Sequence, residues 1–229
     1  MPLMNSRVAL FSGVLAFSLV GCAHAPAAFV PGQAGATARA RADSLRYPYT
    51  QADIDFMSGM IHHHAQAITI SRWAPSHGAT ASVQRLTARI INAQTDEITL
   101  MRSWLIDRNQ TAPSVDSLGI VTMGGAAHAM AGHDMSSMPG MMMPGMLTDA
   151  QMKELDAARG TEYDRLFLTY MIQHHRGAVA MVRTLFSAHG AGQDETVFKF
   201  ASDVEVDQST EIKRMVSMML EMGFAPPSD

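Results

Sequence analysis

The chain has 229 residues, a formal net charge of −4 and a single cysteine. That length suits one domain of ordinary size with appendages and excludes two large ones. No dense Lys/Arg run offers an electrostatic footprint for a phosphate backbone, which sets nucleic acid aside, and one Cys excludes an internal disulfide.

Arg7 precedes an uncharged apolar run, Val8 to Val20. It is short for a bilayer span and has the layout of a secretory signal. The run ends in Leu19-Val20-Gly21-Cys22, which resembles the lipobox of bacterial lipoproteins, so residues 1–21 are expected to be a lipoprotein signal peptide and Cys22 the lipidated residue. Cleavage after Ala25, discarding Cys22, is the alternative. Either route exports the chain, and no later stretch is apolar and long enough to span a membrane. Residues 22–49 are rich in Ala, Pro, Gly and small polar residues, and read as a flexible tether holding the domain off a membrane.

Helical structure is expected from Thr50, an N-cap with Asp53 in the first turn. Phe56, Met60, His63/His64, Ala67 and Ser71 then recur at a helical period up to about Ala74. Ser76-His77-Gly78 supplies a stop and Ala188-His189-Gly190 repeats it, so His77 and His189 read as capping residues. A second helix, about Thr80 to Arg108, carries Gln94-x-x-Glu97-Ile98-x-x-Met101. Its late counterpart carries Gln208-x-x-Glu211-Ile212-x-x-Met215.

Two copies of one helical hairpin are encoded. Met60 and Met171 stand 111 residues apart, as do Asp53 and Asp164, whereas Gln94 and Gln208 stand 114 apart, as do Met101 and Met215. The offset changes between the helices of each pair, so the length difference belongs to the hairpin turn. Neither pair can bury both faces alone, and an all-α four-helix bundle of two hairpins, residues 50–108 and 148–224, is the economical fold. An additional helix is expected from Thr148, with Gly160 as a bend.

The connection at residues 109–147 is far longer than an ordinary helix connection. Its second half carries Met123, His128, Met130, His133, Met135, Met138, Met141, Met142, Met143 and Met146 among Gly and Pro, which exclude a regular helix. These methionines therefore cannot form a core-facing stripe. Clustered thioethers with nearby imidazoles suit Cu(I), with Ag(I) as its mimic. Low-complexity bias without function, together with weak partner or membrane contact, is the competing account.

In the hairpins, His64 lies about 40° and His63 about −60° around the helix from Met60, so both flank its line, while His62 points away and its counterpart is Gln173. Thioether sulfur is a soft ligand and neutral imidazole accepts copper, zinc, iron or nickel. Glu97 and Glu211, with Gln94 and Gln208, occupy seam positions where a plain bundle would carry Leu. An imidazole N–H donated to Glu is the natural support for a metal-bound ring. Equally, each His–Glu pair could be a satisfied buried network and each Met a packing residue.

Both copies, Asp53-x-x-Phe56-x-x-x-Met60-Ile61-x-His63-His64-x-x-Ala67 and Asp164-x-x-Phe167-x-x-x-Met171-Ile172-x-His174-His175-x-x-Ala178, resemble the DUF305 family. The resemblance implies a ferritin-like four-helix bundle, a link to copper binding and copper resistance, and Met60, His63, His64, Met171, His174 and His175 as site candidates. No Glu-x-x-His occurs in the chain, and that pair is what di-iron bundles use, so oxidase chemistry is disfavoured. Hydrolysis is also unsupported, since there is no nucleophile elbow and no phosphate loop. The expectation is a lipid-anchored protein of the bacterial cell envelope that binds Cu(I), or another transition metal, for sequestration or delivery to a metallochaperone. An interaction module whose His and Glu only specify the core, and a metal oxidoreductase, are the rivals.

Overall fold

The computed structural model describes residues 32–33, 35–38, 48–116, 119, 121–123 and 143–228. The signal segment, Cys22, His128, Met130, His133, Met135, Met138, Met141, Met142 and the side chain of Met123 lie outside those residues.

Helix α1 spans Gln51–Arg72. Thr50 caps it reciprocally with Asp53: the Thr50 hydroxyl accepts the Asp53 N–H, and the Asp53 carboxylate accepts the Thr50 N–H at 2.6 Å. The chain leaves the helix through Trp73 and turns at Gly78, whose φ of 71° suits glycine. Helix α2, Ala81–Asp107, completes the first hairpin. Helix α3, Asp149–Ala157, begins at a second capping box between Thr148 and Gln151. Helix α4, Gly160–Ser187, and helix α5, Glu195–Glu221, form the second hairpin. The hairpins meet chiefly through α1 and α4, giving the expected bundle. Among the described residues no helix is long and apolar enough to cross a membrane.

The connection is more structured than its composition suggested. Strands β1, Pro113–Val115, and β2, Val121–Met123, pair antiparallel with Val115 opposite Val121. The loop between them reaches α1: a Cβ on Gly119 would stand 2.2 Å from the Thr69 hydroxyl oxygen. The end of the Met-rich tract is not wholly solvated either, because Met143 and Met146 are half-buried and Leu147 is buried.

Two apolar clusters fill the bundle. One holds Phe56, Met57, Met60 and Ile61 of α1 with Ile98 and Met101 of α2, Ala178 and Val182 of α4, and Val197 and Val204 of α5. The other holds Ala67 and Ile70 of α1, Leu86 and Ile90 of α2, Tyr163, Phe167 and Met171 of α4, and Met215 of α5. Between them, every one of the four long helices contributes a buried polar residue: His63 and His64, Gln94, His174 and His175, and Gln208. The duplicated motif thus builds a polar layer across the middle of an apolar bundle.

The hairpins also clasp each other's turns. Asp53, fully buried, accepts the Gly192 N–H of the α4–α5 turn at 2.7 Å. Asp164 accepts the Thr80 N–H of the α1–α2 turn at 3.2 Å through both oxygens.

Candidate metal centre

The helical spacing of His63 and His64 on α1, and of His174 and His175 on α4, brings four fully buried imidazoles into the layer. His63 and His174 meet at the α1–α4 contact, ring centroids 3.8 Å apart. His64 and His175 lie outward from them, 6.5 and 6.4 Å from their chain neighbours.

Partners fix the tautomers of three rings. His64 Nε2 lies 2.6 Å from the Glu97 carboxylate and His175 Nε2 lies 2.8 Å from that of Glu211. His63 Nε2 lies 3.1 Å from the Pro144 carbonyl. An ionised carboxylate and a carbonyl only accept, so each Nε2 carries the proton and donates it. In a neutral ring the Nδ1 lone pair is then left over, and in all three residues Nδ1 is buried without a partner. In His174 neither ring nitrogen makes a well-formed hydrogen bond, though the His63 backbone lies near enough to act on it. Leaving such a group unsatisfied costs about 1–3 kcal/mol. The arrangement matches a metal-ligating imidazole, which donates one nitrogen to an oxygen and offers the other to the ion. Gln94 and Gln208 add two buried carbonyl oxygens that are also unpartnered.

The electrostatics keep the two central rings, His63 and His174, neutral. Burial, reinforced by the neighbouring His64 and His175 and opposed by the Pro144 carbonyl, lowers the pKa of His63 to about 3. Burial, reinforced by His63, His175 and His64 and opposed by the His63 backbone, pushes His174 well below its ordinary value. Both are therefore available as lone-pair donors without competition from protons in mild acid.

Among the described residues, no three His, Cys, Asp or Glu side chains gather into a metal-holding group. Any site in the layer would therefore need donors of another kind, and the candidate thioethers are placed as follows. Met60 and Met171 are both fully buried, but they lie in different apolar clusters, one on each side of the imidazole layer. Met101 and Met215 are distributed in the same way. His62 is half-buried and shifted down by burial, outside the layer. His189 is exposed. His77 does more than cap: its ring stacks on Trp73 and Nε2 lies 3.0 Å from the Asp156 carbonyl, tying the end of α1 to that of α3.

A strap formed by Met143–Leu147 crosses over the layer, a feature that sequence reasoning missed. Gln66 grips both backbone groups of Leu147, at 2.8 and 3.0 Å, and Gln173 donates to the Gly145 carbonyl at 3.3 Å. Gly177 admits it, since a Cβ there would stand 1.9 Å from the Pro144 oxygen. Gln173 and Gly177 replace His62 and Gln66 of the first copy, so the departures from the repeat mark where the strap passes. Met181 was also missed. It stands two helical turns beyond His174, half-buried, where a lone Met reads as packing.

The family described as "Domain of unknown function (DUF305)" matches residues 53–219. A DUF305 protein from Streptomyces coelicolor, described as a presumed secreted protein, is 28% identical, with a TM-score of 0.61 over 78% of this chain and 98% of its own. CopM in its Cu(I)-bound form is 23% identical, with a TM-score of 0.52 over 74% of this chain and 96% of its own, and that protein is also solved with Cu(II) and with silver. At that identity the likeness shows the fold. An uncharacterized protein, L153, of Acanthamoeba polyphaga mimivirus is 40% identical over 62 residues, which are 26% of this chain and only 41% of the relative.

Proposed function

The chain belongs to the DUF305 family, and from that premise we propose that it is an exported, lipid-anchored copper-binding protein that holds Cu(I) on Met and His ligands for sequestration or delivery. The observation that carries the reading is the set of buried imidazole nitrogens with nothing to bond, three of them held as lone-pair donors by Glu97, Glu211 and Pro144. Soft thioethers on both sides of the layer suit Cu(I) over harder ions. The copper- and silver-bound forms of CopM, which shares the fold, support the same cargo. Cys22 as membrane anchor and His128, Met130, His133, Met135, Met138, Met141 and Met142 as outer ligands belong to this reading on their chemistry alone. The protein binds without turnover: aerobic Cu(I) oxidation is expected to run at the buffer rate.

Titration of the full chain with Cu(I) against a competing chelator tests the proposal. Saturable uptake that falls when His63 and His174 are both replaced by Ala, in a chain that remains helical, is expected. No uptake at micromolar chelator-buffered copper would sink it. The rival reading, a polar layer that only specifies register, draws on the lack of a three-residue His/Asp/Glu group among the described residues. It predicts lowered thermal stability in the same variant with unchanged bound copper.

A further inference from the structure

The imidazole layer is sealed, yet one side of it carries a pair of half-buried methionines. Met143 and Met181 approach the same point on α1: a Cβ added to Gly59 would stand 3.2 Å from the Met143 sulfur and 3.4 Å from the Met181 methyl. Gly59 lies one helical turn before His63, on the side chain's own face. The residue after Met143 supplies the carbonyl that holds His63 Nε2. Met181 comes from α4, the helix that carries His174. Thus both helices that present the central imidazoles, together with the strap, converge on Gly59. A glycine inside a helix costs about 0.5–1 kcal/mol relative to Ala, and here it makes room for two flexible thioethers. His63 and His174 are fully buried, whereas Met143 and Met181 are half-buried. An ion arriving from outside meets these two side chains before it meets the nitrogens.

We propose that Met143 and Met181 form a thioether port that binds Cu(I) beside Gly59 and passes it to His63 and His174. The inference rests on copper being the cargo. It adds a ligand, Met181, and an order of events: sulfur first, imidazole second, with the strap as the element that must yield between them. Met181 has no counterpart in the first copy, where Ile70 stands, so the port opens on one side of the layer only.

Silver(I), a redox-inert mimic, allows a test on the unaltered chain. With 13C-methyl-labelled methionine, the Met143 and Met181 methyl resonances should shift at the first substoichiometric additions, identified by their loss in Met143→Leu and Met181→Leu chains. Stopped-flow transfer from a Cu(I) chelator should then be at least tenfold slower in the double Leu variant than in the native chain. Shifts elsewhere with these two methyls unmoved overturn the port while leaving copper binding intact. Loading of the double variant at the native rate does the same. A native chain that takes up no copper removes both ideas. Because Leu replaces Met at nearly constant volume, the fold should survive in the variants that assign the two methyls, and the shifts themselves are read on the unaltered chain.

Discussion

Acidification should destabilise the metal-free protein through His63 and His174, above the range where ordinary carboxylates titrate. In the unfolded chain each imidazole takes up a proton as the pH falls through its ordinary value of 6.5, while in the folded chain burial keeps His63 neutral down to about 3 and His174 behaves likewise. The unfolded state then binds more protons, so stability falls with pH. The contribution is fully present above 6.5 and is lost progressively as the pH drops towards the folded values. Each such histidine contributes a slope of about 1.4 kcal/mol per pH unit. For His63 that is about 2 kcal/mol lost by about pH 5, and His174 doubles the slope while it too stays neutral. Against a total of about 5–15 kcal/mol for an ordinary domain this is a large fraction. Half-buried His62, lowered by burial, acts in the same direction. Asp207, raised by burial and by the neighbouring Glu97, Asp203 and Glu211, works the other way at the low end. Urea unfolding at about pH 7, 6 and 5 measures the slope, and His63→Gln should reduce it by close to half. A flat profile over this window, or a slope unchanged when both His63 and His174 are Gln, would refute the assignment of neutral, proton-excluding imidazoles.

Three further outcomes follow from the contacts. Asp53→Ala removes the partner of Gly192 together with the Thr50 cap, and should cost more in urea unfolding than Asp164→Ala, which frees only Thr80; each lost buried bond is worth about 1–3 kcal/mol, and copper stoichiometry should not change. Gly177→Ala pushes a methyl into the Pro144 carbonyl, so the strap should detach, seen as accelerated hydrogen exchange at Leu147, whose N–H is held by Gln66; full protection there would count against the strap. Glu97→Gln should weaken Cu(I) affinity by about 10–100-fold if His64 is a ligand oriented by that carboxylate, and an unchanged affinity would confine Glu97 to structure.

What was legible in the sequence was whatever the repeat displayed twice. The Met-x-x-His-His spacing, the Gln-x-x-Glu steps and the constant offsets located four helices and placed Glu97 and Glu211 beside imidazoles. Comparison of the copies also set His62 apart from the layer. Asp53 and Asp164 were visible as motif positions, but their partners lie across the bundle, and first-turn acidity offered a sufficient local explanation. The strap was hidden because its anchors, Gln66 and Gln173, are ordinary helix-surface residues by pattern, and Met143–Leu147 shares its composition with the tract before it. Strands of three residues carry too little periodicity to be read. Met181 needed the third dimension, since its significance comes from Met143 arriving at Gly59.

The reciprocal clasp has a consequence for assembly. Asp53 of the first hairpin closes the second hairpin's turn, and Asp164 of the second closes the first's. A contact in which each unit gives the other what it receives is the hallmark of an isologous twofold interface between subunits. Here it sits inside one polypeptide, so the bundle is organised as a covalently joined dimer. Fusion frees its two halves to diverge, and the chain uses that freedom at Gln173, Gly177 and Met181, where a symmetric pair of identical subunits could not have admitted a strap over one side alone.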